Sequence, residues 1–201
     1  LILAPVVALA IASPDLLSGL LSGDVDANVF ELLYWSTLAG LATMAPLLFW
    51  MRRDAWTGPA TDLAGMLPRV LGCYALAFGV GLAISWVEYL MRLSGVDMGG
   101  SGFDEALAKS ARGHGLLLSL LVMAVLVPIF EEWLFRGVLL GAFTRHIGFA
   151  AANLLQASLF MLIHDDVTRF PFYFAVGVLA GWLVRHYGYL LPAILLHMVN
   201  N

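Results

Sequence analysis

Residues 116–143 read LLLSLLVMAVLVPIFEEWLFRGVLLGAF and decide the fold, because two carboxylates and a guanidinium lie inside an apolar stretch long enough to span a bilayer. An ionised side chain at the centre of a membrane helix costs ~3 kcal/mol even on lenient insertion scales. Such groups therefore normally face partners, a cavity or a reaction. Glu131, Glu132 and Arg136 are the first candidate functional residues of this chain.

The composition around this stretch is that of an integral membrane protein. Of 201 residues, 61% are hydrophobic and 12% are charged, and the mean hydropathy is +0.90, which is too apolar for a soluble globule. The formal net charge is -4 and no basic run occurs, so no nucleic acid partner is expected. The single cysteine, Cys73, excludes an internal disulfide and a cysteine-rich metal site.

Apolar segments separated by polar, glycine-containing breaks predict an all-α fold, a polytopic transmembrane helix bundle. Crossing ~30 Å of hydrocarbon takes about 20 helical residues. We predict about seven membrane segments, at residues 1–21, 29–51, 66–93, 114–144, 149–163, 172–185 and 189–201. A single transmembrane domain, residues 1–201, is enough to hold them. Because the sequence begins at Leu1 without a methionine, we expect its ends to be trimmed.

Three of these segments carry groups able to move protons. His164 ends the apolar run 157–163, and His197 lies inside the run 190–199. Counted along the helices from one side of the membrane, Glu131 lies at ~21 Å, His164 at ~22 Å and His197 at ~15 Å. The three side chains are therefore expected to meet within the membrane.

Two glycine pairs have the spacing that lets membrane helices approach closely. They are Gly137 with Gly141, and Gly177 with Gly181. Small residues four apart suit a tight helix bundle around a polar centre.

The acidic pair suggests a division of roles. Glu132 and Arg136 are four residues apart, share a helix face and are expected to form an ion pair. Glu131 points about 100° away and can serve a water molecule as general base. His164, which follows Phe160 in the pattern FxxxH, could bind the same water or share its proton. Alternatively, the carboxylates and Arg136 form a buried charge network that only holds helices together.

The last helix adds two hydrogen-bond donors. His197 and Asn201 are four apart on one face, and donors of this kind can hold a developing oxyanion. They could instead be interhelical hydrogen-bond partners. Asp165, Asp166 and Arg169 predict a solvated loop at the membrane surface, from which either carboxylate could orient His164.

The set Glu131-Glu132-x-x-x-Arg136, Phe160-x-x-x-His164 and His197-x-x-x-Asn201, in this order on successive apolar helices, resembles the CPBP family. This family comprises the CAAX proteases and bacteriocin-processing enzymes, also called Abi proteins, and includes the Ras-converting CAAX endopeptidases. The resemblance covers residues 131–201, about a third of the chain, and the combination of motifs is specific.

The resemblance implies a glutamate-dependent intramembrane endopeptidase with residues 114–201 as its catalytic core. Glu131 and His164 would activate the attacking water, and Glu132 and Arg136 would support the first motif. The oxyanion donors would be His197 and Asn201. No cofactor is expected. Zinc is the alternative, since one Glu and two His make a plausible ligand set, although the HExxH pattern is absent.

The expected partners are a peptide or lipidated-protein substrate and the lipid bilayer, and no particular oligomeric state is predicted. Short loops and 201 residues are more typical of prokaryotic members, so a multi-pass protein of the prokaryotic plasma membrane is expected. A non-proteolytic membrane scaffold or immunity protein that binds a peptide or a sensor partner is the alternative function. A proton-coupled transporter is a third, but we find no inverted internal repeat in the sequence.

Overall fold

The computed structural model describes residues 63–96, 116–164 and 166–201, and every regular element in these residues is helical. The all-helical prediction is confirmed for this part of the chain. The α-helices are α1 (Leu63–Leu93), α2 (Leu116–Leu121), α3 (Val127–Glu132), α4 (Leu140–Leu162), α5 (Phe170–Tyr187) and α6 (Leu191–Asn200). Two π-helical segments, π1 (Val122–Leu126) and π2 (Trp133–Leu139), flank α3, and a 3-10 turn (Val167–Arg169) precedes α5.

Two of the described helices are long and apolar enough to cross a membrane, judged by length and composition. They are Ala64–Leu93 and Val167–Tyr187, which correspond to the predicted segments 66–93 and 172–185. Helix α6 is apolar but has only 10 residues. The predicted segments 1–21 and 29–51 lie outside the described residues. The predicted count of about seven segments is therefore not confirmed.

Between residues 70 and 87, helix α1 carries no charged side chain on any face. Its buried stripe consists of Met66, Val70, Cys73 and Ala77, at the spacing of one helix face. Large apolar side chains cover the exposed face, among them Leu71, Leu76, Leu82, Trp86 and Leu90. A surface helix of a soluble protein carries polar residues there, and a helix that is apolar all round is typical of a membrane span.

The described residues fall into two compact units. Residues 116–130 belong to the first unit, and residues 63–96 and the described part of 131–201 belong to the second. In the second unit, α1 packs with α5 and α6 through Met66, Val70, Ala180, Leu183 and Leu196. The single domain predicted for residues 1–201 stays a prediction.

Proline and glycine explain the local interruptions. Pro128 has no N–H and its ring crowds the preceding turn, and π1 ends two residues before it. Within α4, Gly148 has φ 75° and ψ 165°, and this kink separates residues 140–147 from 149–162, close to the predicted segment boundary. Gly188 ends α5 in the left-handed conformation, which is the usual helix stop.

The two glycine pairs have different surroundings. A Cβ atom at Gly177 would lie 2.8 Å from the Cβ of Ala157, and one at Gly181 would overlap Oδ1 of Asn153. The close approach predicted for this pair is confirmed, because α4 and α5 touch there. A Cβ atom at Gly141 would have no neighbour within 4 Å among the described residues, so a close approach there stays a prediction, while a Cβ atom at Gly137 would lie 3.2 Å from the Trp133 ring and 3.5 Å from Leu190.

Candidate active site

The predicted ion pair between Glu132 and Arg136 is confirmed. Arg136 Nη1 donates to Glu132 Oε1 at 2.8 Å, and both side chains are fully buried. Glu132 ends α3 and Arg136 lies in π2, where the Leu140 N–H bonds the Phe135 carbonyl five residues back. Such π-helical turns occur frequently at functional sites.

His197 links this ion pair to the second carboxylate. Its Nδ1 lies 2.8 Å from Glu132 Oε1, and its Nε2 lies 3.8 Å from Glu131 Oε2. The imidazole is buried, and it comes from α6, 65 residues further along the chain. Glu131 and His197 therefore meet as the depth argument predicted, although 3.8 Å exceeds a direct hydrogen bond.

The two adjacent carboxylates have different surroundings. Oε1 of Glu132 is shared by Arg136 and His197, and the Glu132 side chain is fully buried. The Glu131 side chain keeps 19% of its surface exposed. Among the described residues, none hydrogen-bonds to Oε2 of Glu131. Oε1 of Glu132 is thus held by two structural contacts, whereas the Glu131 side chain is partly exposed; in the described part of the chain the buried Oε2 atom of each carboxylate accepts no hydrogen bond.

His164 lies in the turn that follows α4. Its Nδ1 is 2.7 Å from the Phe160 carbonyl oxygen, and since a carbonyl only accepts, Nδ1 carries the proton. In the neutral ring Nε2 then has the free lone pair. The Phe160 ring contacts both this imidazole and that of His197, so the two histidines lie against one aromatic side chain.

Phe160 packs between the charged and the imidazole groups. Its ring centroid is 4.4 Å from the Arg136 guanidinium carbon, 4.5 Å from the His164 ring and 5.7 Å from the His197 ring. A guanidinium over an aromatic face gains cation–π energy, most of all where both are desolvated. The apolar Phe160 ring therefore contacts one residue from each of the other two motifs, Arg136 and His197.

The Asn201 side chain is exposed at the end of α6, and its backbone N–H donates to the His197 carbonyl. Asp166 accepts from the Arg169 backbone N–H, as expected of a local loop contact. Asp165 lies outside the described residues.

Three buried or half-buried residues of this region were not singled out from the sequence. The Tyr173 ring stacks on His164, and nothing in the aromatic run 172–174 distinguishes it from a lipid-facing residue. Asn153 and Gln156 are buried and hydrogen-bond to each other and to α5 backbone carbonyls. Two amides within the apolar segment 149–163 were a usable signal, because polar residues in such helices commonly join neighbours.

These features indicate the class of the protein: a membrane protein whose described residues are helical and contain a buried Glu–His–Arg network. Residues 113–201 match the family model described as type II CAAX prenyl endopeptidase Rce1-like. Residues 113–201 are thus similar to this family of CAAX prenyl endopeptidases, and the resemblance to CAAX proteases predicted from the motifs is confirmed.

Two curated bacterial proteins are similar to the chain. "Putative membrane peptidase YdiL" of Bacillus subtilis (strain 168) is 24% identical over 172 residues, which cover 83% of this chain and 68% of the relative. "Membrane-embedded CAAX protease MroQ" of Staphylococcus aureus (strain USA300) is 29% identical over 89 residues, which cover 39% of this chain and 34% of the relative. This second match spans about a third of that protein. No solved structure matches the chain.

Proposed function

We propose that the chain is an intramembrane endopeptidase in which the Glu131 carboxylate activates water. The observation that carries this proposal is the unequal environment of the two adjacent carboxylates. Glu132 is held by Arg136 and His197, whereas Glu131 is partly accessible and faces Nε2 of His197 across 3.8 Å. A general base must keep a free lone pair within reach of its water.

His164 would hold the other side of the same water. Its Nδ1 is engaged by the Phe160 carbonyl, so Nε2 is the nitrogen that can accept a hydrogen bond. Water attacks the peptide carbonyl carbon while one of its protons passes to Glu131. The addition converts the substrate carbonyl into a tetrahedral oxyanion. The carbonyl then re-forms, the carbon–nitrogen bond breaks, and Glu131 returns the proton to the leaving amine.

His197 and Asn201 would stabilise the oxyanion, as the family resemblance implies. Nδ1 of His197 donates to Glu132, and this contact orients the ring so that Nε2 is the nitrogen left to face substrate, where it would donate to the oxyanion in the doubly protonated ring. Glu132 and Arg136 support the site by fixing this orientation. A donor held in advance by the protein stabilises developing charge without reorganisation when the reaction occurs.

We further propose that the water is activated without a metal ion. The support for this proposal is the family resemblance together with the absence of an HExxH pattern from the sequence. Zinc held by Glu131, His164 and His197 is the alternative. Chelation followed by zinc addition tests it: activity that is lost with chelator and restored by zinc would support the metal mechanism.

The proposed substrate is a peptide or a lipidated protein that reaches the site from the bilayer. The family model is described as a CAAX prenyl endopeptidase, and the staphylococcal relative is named as a CAAX protease. Both relatives are bacterial, so we place the chain in a prokaryotic plasma membrane.

Cleavage assays with the purified chain test the proposal. The protein in detergent is offered fluorogenic peptides, with and without a prenylated CAAX cysteine. Glu131→Gln and His164→Ala are expected to lower kcat/KM by at least ~100-fold, since a positioned acid–base group contributes about that much. Glu88→Gln on α1 removes a carboxylate outside the site and serves as the matched control. Cleavage that survives Glu131→Gln would remove this residue as the base, and no cleavage by the parent would favour the scaffold or immunity function.

A further inference from the structure

We propose that Tyr173 is a positioning residue of this site: its ring fixes the orientation of the His164 imidazole. This inference rests on the proposed function, because it concerns a residue assigned there to the attacking water. Tyr173 lies in α5, outside the three sequence motifs, and it was not predicted from the sequence.

His164 needs a contact of this kind because its helix has already ended. Helix α4 stops at Leu162, and the His164 N–H bonds the Met161 carbonyl in a tight turn. The helix geometry therefore does not fix the His164 side chain. Its Nδ1 hydrogen bond to the Phe160 carbonyl sets one direction, but the ring can still rotate about the line of that bond.

Tyr173 removes this remaining freedom. Its ring centroid lies 4.0 Å from that of His164, with an angle of 25° between the planes, so the two rings are stacked. Phe160 covers the imidazole from another side at 4.5 Å with an angle of 56°. The His164 imidazole is thus packed against both rings, and its Nδ1 is bonded to the Phe160 carbonyl. Together these contacts fix the direction in which Nε2 points.

The packing of α4 on α5 determines where Tyr173 lies. Gly181, Gly177 and Tyr173 follow one another at intervals of four residues along one face of α5. The first two meet α4 at Asn153 and Ala157, in the order expected of antiparallel helices. Tyr173 is the next position on this face, and it reaches the His164 ring just beyond the end of α4.

Hydrogen bonds lock the register of these two helices. Gln156 Nε2 donates to the Gly177 carbonyl at 2.9 Å, and Asn153 Nδ2 donates to the Val178 carbonyl at 3.1 Å. Both amide side chains are buried. A one-residue slip would break both bonds and turn Tyr173 about 100° away from His164.

The stacking contact is made by the Tyr173 ring. Two substitutions of Tyr173 therefore distinguish the effect of losing the ring from that of losing the hydroxyl group. Tyr173→Leu is expected to lower kcat by roughly two- to tenfold, the range that one lost aromatic pair corresponds to, with little change in KM. Tyr173→Phe keeps the ring and is expected to restore kcat. Tyr74→Leu is the matched control, because Tyr74 is a half-buried tyrosine stacked on Phe78 in α1. In a His164→Ala background, Tyr173→Leu is expected to cause no further loss.

An NMR measurement tests the same contact without any substrate. The His164 ring signals of histidine-labelled protein are assigned by their loss in His164→Ala. They are expected to shift downfield in Tyr173→Leu, where the tyrosine ring current is gone, and to stay in place in Tyr173→Phe and Tyr74→Leu. His164 signals that do not move in Tyr173→Leu would overturn the proposal. Moving signals in a chain that cleaves no peptide would instead contradict the proposed function and leave the contact established.

Discussion

Glu131 and Glu132 are adjacent and chemically identical, but their side chains differ in burial and in contacts. Glu132 is fully buried between Arg136 and His197, and a buried charge network of this kind is stable only while it is complete. Glu131 has 19% of its side chain exposed. The two carboxylates should therefore respond differently to the same substitution.

Glu132→Gln is expected to destabilise the fold strongly. The amide keeps the shape but leaves the Arg136 guanidinium as an uncompensated buried charge, which costs ~3–5 kcal/mol in comparable buried pairs. Unfolding by denaturant in mixed micelles measures the loss, with Glu131→Gln as the control, since that change leaves the Arg136 pair intact. Adding Arg136→Met to Glu132→Gln removes both charges and should recover part of the stability. Equal stability of the two glutamine variants would contradict the assignment.

Between elements, the contact of α4 with α5 depends on glycine. A methyl group at Gly177 would meet Ala157 at Cβ and Cα within 2.9 Å, and neither atom belongs to a flexible side chain. Gly177→Ala is expected to cost about 1–3 kcal/mol by overpacking. Gly72→Ala in α1 is the control, because none of the described residues lies within 4 Å of a methyl group there. It should be neutral or stabilise by up to ~1 kcal/mol. Thermal unfolding midpoints in detergent compare the two, and a lower midpoint for Gly72→Ala would count against this account.

The break inside α4 depends on a different property of glycine. Gly148 has φ 75° with ψ 165°, a conformation that L-amino acids almost never adopt, although no residue in the described ranges crowds the position. Gly148→Ala is expected to cost about 1–3 kcal/mol through backbone strain alone. Gly79→Ala, also uncrowded but in a regular helix, provides the comparison in the same unfolding assay. If both variants are equally stable, the kink at Gly148 is not required by the fold.

The elements also show which features the sequence could reveal. The Glu132–Arg136 pair was predictable because residues four apart on a helix are neighbours whatever the rest of the fold does. The pairing of Glu132 with His197 was not, since it depends on how α6 is rotated, 65 residues away. The same glycine spacing marks a helix contact at Gly177, whereas at Gly141 no described residue lies within 4 Å and the contact stays a prediction.

For the whole molecule, the distinguishing feature is an apolar surface on α1 that faces outward. Leu82 is 48% exposed and lies well inside the candidate span, and Leu93 is 67% exposed at its end next to Arg92. A side chain at position 82 is expected to contact the hydrocarbon of the bilayer, and a long one at position 93 can reach the membrane–water interface. The membrane assignment therefore makes the cost of a charge depend on its depth.

Leu82→Arg is expected to lower the amount of chain inserted in the membrane, because an arginine near the centre of a span costs about 3 kcal/mol. Leu93→Arg carries the same charge at the helix end, where the long side chain extends to the headgroups, and should insert as the parent does. Alkaline extraction of membranes from expressing cells measures the inserted fraction of each variant. In a soluble protein both exposed positions would accept arginine equally, so equal insertion of the two variants would contradict a lipid-facing α1.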